Sequence, residues 1–294
     1  MFRGTFTALV TPFRNGSIDE AALGNLIEFQ IEHGISGIVP VGTTGESPTL
    51  DHDEHIRVIE LVVKFARGRC KIIGGTGSNS TAEAIELTRE AERVGSDAAL
   101  LVAPYYNKPS QEGLFRHFKA IAESTKLPLI LYSIPGRCGI EIGVETMRRL
   151  AGACPNIVAI KESGGSIERV NALRAALPEN FDILSGDDFI TLSFMAAGAR
   201  GVISVASNIV PRDVVEMVNA VVVGKFDLAQ QIHERLYPLF RDLFIEPNPV
   251  PIKTALGWAG KISPEVRLPL CEMGEATSKK LRATLESLEI IKKS

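Results

Sequence analysis

The residue of this chain with the greatest chemical potential is Lys161, which directly follows the apolar run Ile157-Val158-Ala159-Ile160. Burial at the end of a strand would disfavour its ammonium form and lower its pKa. A neutral amine can attack a carbonyl carbon and form a Schiff base. The alternative is a buried ion pair, for which Glu162 and Asp187 are the candidate partners. Strand position alone leaves both interpretations open.

Hydroxyl groups follow other apolar runs of the chain. Tyr132 stands near the end of the run 129–133, and Tyr106 comes shortly after the run 98–103. A phenol beside a nucleophile can transfer protons, and the hydroxyl of Thr43 could bridge two phenols. Relays of this kind contribute about 10²–10⁴-fold to a rate. The alternative is that both tyrosines are amphipathic residues at the boundary of a core.

Two further features could bind a carboxylate group. Arg137 follows Pro135-Gly136, and its planar guanidinium suits bidentate contact with a carboxylate. The segment Gly42-Thr43-Thr44-Gly45 could present backbone N–H groups to an anion. The alternatives are a solvated surface arginine and a tight turn between a strand and a helix.

Other kinds of chemistry find little support in the residue spacing. His52 and His55 share a face of a predicted helix, but no third ligand stands near them, so we expect no metal site. None of the four cysteines forms a CxxC pair, which argues against a zinc ribbon or a redox motif and favours a reducing compartment. The chain has neither a GxSxG elbow nor a phosphate-binding P-loop.

The elements that must position these residues alternate along the chain. Eight short apolar runs, each followed by a stretch of helical periodicity, occupy residues 5–10, 37–41, 71–75, 98–103, 129–133, 157–161, 182–185 and 201–205. The runs are apolar on both faces, which is typical of a parallel sheet covered by helices. Eight such units predict an α/β fold of the (β/α)8 barrel type, with functional residues at the carboxyl ends of the strands. The alternative is a doubly wound sheet, but the segment Gly75-Thr76-Gly77-Ser78-Asn79-Ser80 lacks the third glycine of the dinucleotide fingerprint.

The end of the chain has no strand pattern. We therefore predict a catalytic barrel over residues 1–224 and a small helical region over residues 225–294 that packs on it. Helices are expected at 224–244, 250–259 and 272–291. Two further helix starts are indicated by Asp51 and by the capping-box spacing of Ser80 and Glu83.

Composition and charge limit the kinds of partner and the cellular compartment that we expect for this chain. The 294 residues include 32 Lys+Arg and 35 Asp+Glu, a net charge of −3, so we expect neither nucleic acid nor a membrane surface as a partner. No apolar run approaches the roughly 20 residues needed to span a bilayer. Residues 1–7 lack the apolar core of a signal peptide. These features predict a cytoplasmic protein.

Three motifs together resemble those of the dihydrodipicolinate synthase family, within the class I pyruvate-dependent aldolases and N-acetylneuraminate lyases. They are Gly42-Thr43-Thr44-Gly45-Glu46-Ser47, Tyr132-Ser133-Ile134-Pro135-Gly136-Arg137 and Lys161-Glu162. The resemblance implies that Lys161 forms an imine with pyruvate and that Tyr132 moves protons on it. Thr43 and Tyr106 would complete the relay. Thr44, Gly186 and the backbone of Ile203 would bind substrate.

The resemblance also implies a reaction and its alternatives. Arg137 would bind the carboxylate of L-aspartate-4-semialdehyde, which would be condensed with pyruvate in lysine and diaminopimelate biosynthesis. No cofactor is required, because the imine itself acts as an electron sink. The first alternative is an aldolase for N-acetylneuraminate or a keto-deoxy sugar acid. The second is a non-catalytic barrel that binds a small carboxylate.

Assembly and regulation are further implications of the resemblance. The family match predicts a homotetramer of tight dimers, in which Tyr106 enters the neighbour's active site. It also predicts an allosteric site for L-lysine, formed by Ser47, His52, His55, Asn79, Glu83 and Tyr105. The alternative for these polar residues is a polar helix start after Asp51 and a capping box at Ser80 and Glu83.

Overall fold

The computed structural model of the chain describes residues 1–293, and within them eight parallel strands close into one barrel. The barrel strands are β1 (Gly4–Ala8), β2 (Gly37–Val39), β3 (Lys71–Gly75), β4 (Ala98–Val102), β5 (Leu129–Ser133), β6 (Ile157–Glu162), β7 (Asp182–Ser185) and β8 (Gly201–Ser204). Each strand pairs with the next in the chain, and β1 pairs with both β2 and β8. The predicted (β/α)8 fold is confirmed, with strand ends that differ from the prediction by one or two residues.

Helices surround the barrel. Those of the barrel region are α1 (Glu20–Glu32), α2 (His52–Ala66), α3 (Thr81–Arg93), α4 (Gln111–Glu123), α5 (Pro135–Cys138), α6 (Val144–Ala153), α7 (Ile167–Ala176), α8 (Thr191–Ala196) and α9 (Pro211–Val222). Three more follow, α10 (Phe226–Asp242), α11 (Val250–Trp258) and α12 (Glu275–Ser287). Single 3₁₀ turns lie at Ser47–Thr49, Asp188–Ile190 and Ala206–Asn208, and a short antiparallel hairpin joins Phe13–Arg14 to Ser17–Ile18. None of the helices in the described part combines the length and apolar character that a bilayer crossing needs.

The two faces of each strand belong to two different cores. Successive side chains of a strand point to opposite faces. On β5, Ile130 and Tyr132 join the core inside the barrel, whereas Leu129 and Leu131 pack outward against the helices. The alternation places every second residue of β5 and β6 inside the barrel. This is why the strands have no polar face in the sequence.

Two predicted helix starts have different outcomes. Asp51 forms a complete capping box with Glu54, because each side chain accepts a hydrogen bond from the other residue's backbone N–H. At α3 only half of the predicted box exists: Ser80 accepts from the backbone of Glu83. The carboxylate of Glu83 instead accepts from His52, since a bond to an imidazole that can carry charge is stronger than one to an amide.

Candidate active site

The amine of Lys161 lies inside the barrel at the carboxyl end of β6. Its side chain follows Ala159 on the inward face of the strand, and the residue is only 6% exposed. Burial lowers the pKa of Lys161 to about 8, although the carboxylates of Asp187 and Asp188 oppose the shift. A far larger fraction of this amine is therefore neutral near pH 7 than in an ordinary solvated lysine.

Tyr132 is the nearest aromatic partner of this amine. It pairs in register with Lys161 across β5 and β6, and the Lys161 Nζ lies 4.1 Å from the centre of the Tyr132 ring. Burial raises the pKa of the Tyr132 phenol, so the hydroxyl holds its proton. The pair combines a partly neutral nucleophile with a protonated acid.

Glu162 does not form the ion pair that could have explained a buried Lys161. The side chain of Glu162 points outward from β6, where its Oε2 accepts from the Arg169 Nε at 2.8 Å. Arg169 also donates to the backbone oxygen of Ile142 and to the Glu141 carboxylate. The alternation of the strand separates Glu162 from Lys161, which leaves the lysine amine free for chemistry.

The carboxyl end of β7 forms another wall of the cavity. Gly186 must lack a side chain, because a Cβ there would lie 2.9 Å from the Lys161 Cε and would also overlap the Ser163 hydroxyl. Asp187 lines the same cavity, and burial raises its pKa to about 6 while Lys161 counteracts the shift. Asp188 is turned away, with its carboxylate accepting from Ser204 and from the backbone of Val205 and Ala206.

The loop after β2 supplies a further wall of the cavity. Thr43 and Thr44 both line the Lys161 cavity. The Thr44 hydroxyl accepts a hydrogen bond from the Asn248 Nδ2 at 2.9 Å. Asn248 belongs to the segment between α10 and α11, so the C-terminal helical region reaches into the mouth of the barrel.

Arg137 lies at the rim of the cavity. It follows β5 in the short helix α5, is exposed, and donates to the backbone oxygen of Asn248 at 3.4 Å. Arg137 lines both the Lys161 cavity and a larger cavity beside it. Its guanidinium is thus available to a ligand that enters from solvent.

Two of the predicted site residues lie outside this cavity. Ile203 is fully buried in the core inside the barrel, and its side chain does not line the cavity. Tyr106 is 90% exposed and is held in a left-handed backbone conformation with φ of +71°. Neither the Tyr106 ring nor its hydroxyl contributes to the Lys161 cavity of its own chain.

The residues predicted to bind L-lysine surround the neighbouring cavity, which has a volume of about 440 Å³. Five of the six predicted residues line it, namely Ser47, His52, His55, Glu83 and Tyr105. The sixth, Asn79, lies next to it and donates to the backbone oxygen of Tyr105 at 3.2 Å. Thr43 and Arg137 line this cavity too, so the two cavities share a wall.

The polar groups of this second cavity are connected. Glu83 accepts from the His52 Nε2 at 2.7 Å and from the Ser78 hydroxyl. The bond from Ser78 and then that from His52 lower the pKa of Glu83, while Glu83 raises the pKa of His52. His55 contacts the backbone oxygen of Gly75 at 2.7 Å. The cavity therefore presents an anionic carboxylate beside two imidazoles.

Comparison with known sequences decides the family. A sequence model of the Dihydrodipicolinate synthetase family matches residues 1–288. The chain belongs to this family. The 4-hydroxy-tetrahydrodipicolinate synthase of Geotalea uraniireducens is 53% identical over 291 residues, which cover 99% of this chain and 100% of the relative. The resemblance seen in the three motifs is thereby confirmed.

Solved structures agree with this placement. The 4-hydroxy-tetrahydrodipicolinate synthase from Methylacidiphilum fumariolicum SolV has a TM-score of 0.98 and 57% identity, covering 98% of this chain and 96% of that one. A dihydrodipicolinate synthase from Cyanidioschyzon merolae, solved with lysine bound, has a TM-score of 0.96 and 40% identity, covering 99% of both chains.

In this member of the dihydrodipicolinate synthetase family, the sequence assigns no site role to two residues of the cavity. Asn248 lies 204 residues after Thr44, so spacing cannot connect them. The sequence offers Asp187 as an ion-pair partner of Lys161, whereas the structure places it in the cavity wall without a direct ion pair to that lysine. The position of Asp187 just after a barrel strand is the signal that could have found it.

Proposed function

We propose that this chain is a 4-hydroxy-tetrahydrodipicolinate synthase that condenses pyruvate with L-aspartate-4-semialdehyde in diaminopimelate and lysine biosynthesis. The observation that carries the proposal is the buried amine of Lys161, with a pKa of about 8, against the ring of Tyr132. The names of the relatives at about half identity support the same reaction.

The first half of the reaction makes pyruvate nucleophilic. The neutral Nζ of Lys161 attacks C2 of pyruvate, the C2–oxygen bond breaks, and water leaves as the C=N bond of the imine forms. Tyr132, whose phenol carries its proton at neutral pH, donates the proton that the departing oxygen needs. Thr44 binds the pyruvate carboxylate, and Gly186 leaves room for pyruvate beside Lys161.

The second half forms the carbon–carbon bond. The imine withdraws electrons, so C3 loses a proton and the resulting enamine attacks the aldehyde carbon of the second substrate. Arg137 binds that substrate's carboxylate at the rim of the cavity. The substrate's own amino group then attacks C2 and displaces Lys161, which closes the ring of the product. The imine is the only electron sink this sequence requires, so no cofactor is proposed.

The two alternative functions predict different behaviour. An aldolase for N-acetylneuraminate or a keto-deoxy sugar acid would use the same lysine and tyrosine but a polyhydroxylated aldehyde. A non-catalytic barrel that binds a small carboxylate would need Lys161 as a cation, whereas burial shifts this amine toward its neutral form. Arg137 at the rim favours an aldehyde that carries a carboxylate group.

Turnover measurements with pyruvate and a set of aldehydes test the proposal. We expect turnover with L-aspartate-4-semialdehyde and none with N-acetylmannosamine or a simple sugar aldehyde. Cleavage of N-acetylneuraminate at a comparable rate would select the sugar-acid alternative. Absence of turnover with every pair, together with tight pyruvate binding, would select the non-catalytic barrel.

We further propose a homotetramer of tight dimers, L-lysine inhibition and a cytoplasmic location. The exposed Tyr106 supports the assembly, because an aromatic ring on a loop tip is suited to a neighbour's site. The anionic Glu83 in the second cavity supports lysine binding, since it can pair with the ligand's ammonium group. The cysteines at 70, 138, 154 and 271 are all free, in keeping with a reducing compartment.

A further inference from the structure

A fully buried ion pair connects the loop after β2 to the C-terminal helical region. The Lys253 Nζ on α11 donates to the Glu46 Oε1 at 2.5 Å, and neither side chain has measurable exposure. Glu46 lies two residues after Thr44. We propose that Glu46 and Lys253 are positioning residues, which hold Thr43 and Thr44 in the geometry that pyruvate requires; this inference rests on the proposed function.

The loop that the pair holds has an unfavourable backbone. Glu46 has φ of +56° and ψ of +37°, and Val41 has φ of +55°, a left-handed conformation that side chains other than glycine rarely adopt. Such conformations persist only where the surroundings impose them. Within this loop, the backbone N–H of Glu46 donates a hydrogen bond to the backbone oxygen of Thr43 at 3.1 Å. A shift of Glu46 would therefore be transmitted to Thr43.

Every polar atom of the pair has a partner. The Lys253 Nζ also donates to the backbone oxygen of Thr11 at 2.9 Å and lies 4.2 Å from the centre of the Phe13 ring. The Glu46 Oε2 accepts from the backbone N–H of Arg267 at 3.1 Å. Apolar residues of the same volume often stabilise a core as well as a buried ion pair does. The pair is thus better explained by the orientation it imposes than by stability.

A second contact from the same region supports this role. Asn248 donates to the Thr44 hydroxyl at 2.9 Å, while its own Oδ1 is buried without a hydrogen-bond partner among the described residues. The C-terminal region therefore contacts the loop on both sides of Gly45. Thr11 completes the support, since its hydroxyl donates to the Gly45 oxygen at 2.7 Å. The helical region after the barrel is in this way a part of the active-site framework.

Removing the charge of Glu46 or of Lys253 should displace the loop after β2 without unfolding the barrel. A misplacement of about 1 Å can cost as much as 10²-fold in rate. For Lys253→Met and for Glu46→Gln we expect kcat/KM for pyruvate to fall by roughly 10-fold to 10²-fold. Glu46→Gln keeps the volume of the side chain and an acceptor for Arg267, so it provides the test if Lys253→Met does not fold.

The matched control is Asp182→Asn at the opposite end of the barrel. Asp182 begins β7, is as buried as Glu46, and accepts from the Arg3 Nε at 2.9 Å and from the Phe2 N–H at 2.8 Å. Its loss removes a buried carboxylate and an ion pair without touching the loop. The thermal unfolding temperature is measured first for every variant. The rate of pyruvate trapping by sodium borohydride is then measured well below that temperature.

We expect Lys253→Met and Glu46→Gln, the two ion-pair variants, to trap pyruvate at least about 10-fold more slowly than wild type. Asp182→Asn should trap pyruvate at the wild-type rate, whatever its melting temperature. If the folded ion-pair variants trap pyruvate as fast as Asp182→Asn, the positioning role of Glu46 and Lys253 is overturned. Wild-type protein that traps no pyruvate would instead overturn the proposed function, and this inference with it.

Discussion

The side-chain nitrogen of Lys161 lies 4.1 Å from the centre of the Tyr132 ring, and the two residues are paired in register on neighbouring strands. Parallel pairing and the alternation of side chains bring both groups to one level inside the barrel. Burial inside the barrel removes water from the amine, which lowers the pKa of Lys161. The same surroundings keep the tyrosine protonated. One packing arrangement thus prepares both the nucleophile and the acid.

The pH dependence of imine formation should report Asp187. In wild type, trapping of pyruvate with sodium cyanoborohydride should rise as Lys161 loses its proton, with a midpoint near the pKa of about 8. The negative charge of Asp187 raises the pKa of Lys161, so Asp187→Asn should move the midpoint to lower pH. A midpoint that stays in place or moves upward would show that Asp187 exerts no field on the amine.

Arg137 should affect the second substrate more than the first. Its replacement by alanine removes a charge-assisted contact worth about 1.5–3 kcal/mol, which corresponds to roughly a 10- to 100-fold loss in kcat/KM for L-aspartate-4-semialdehyde. Pyruvate trapping in Arg137→Ala should remain close to wild type. Equal losses for both substrates in steady-state kinetics would mean that Arg137 only maintains the loop.

L-lysine should inhibit by binding in the second cavity through Glu83. Coupling between sites is typically about 1–3 kcal/mol, so lysine should reduce turnover several-fold or more without competing with pyruvate. Glu83→Ala should abolish the inhibition and spare the uninhibited rate. Glu86→Ala is the matched control, because Glu86 lies on the same helix and does not line this cavity. Calorimetry that detects no lysine binding to wild type would refute the site.

Tyr106 should act in a neighbouring subunit. Tyr106→Phe should lower turnover by about 10²-fold through loss of the proton relay, with the oligomer unchanged in analytical ultracentrifugation. A mixture of Tyr106→Phe and Lys161→Ala chains, dissociated and reassociated, should regain activity because some hybrid sites contain both intact residues. Full activity in a monomeric preparation would contradict the shared site.

The sequence was sufficient for those features that depend on local pattern. The eight apolar runs predict the barrel, and the position of Lys161 directly after one of them predicts its burial. Asp51 predicts the start of α2 because capping is a matter of neighbouring residues. At α3, by contrast, Glu83 leaves the predicted capping box for His52, a residue 31 positions earlier. Propensity could not foresee that competition.

Contacts between residues far apart in the chain cannot be predicted from local sequence patterns, because they form only when the elements pack. Lys253 and Glu46 stand 207 residues apart, and nothing in either local sequence marks a lysine or a glutamate as fully buried. A charged residue in a helical sequence pattern is usually exposed to solvent, so the sequence around Lys253 predicts an exposed side chain. Only the folding of α11 across the mouth of the barrel brings the two charges together.

The central claim is that Lys161 forms an imine with pyruvate, and mass spectrometry of trapped protein tests it most directly. Incubation with pyruvate and sodium borohydride should add one reduced pyruvyl group to the peptide that contains Lys161. Lys161→Ala should show no addition and almost no turnover. Lys161→Arg should behave similarly, because a guanidinium stays protonated and cannot attack. A wild-type protein that turns over its substrates while Lys161 remains unlabelled would contradict the account.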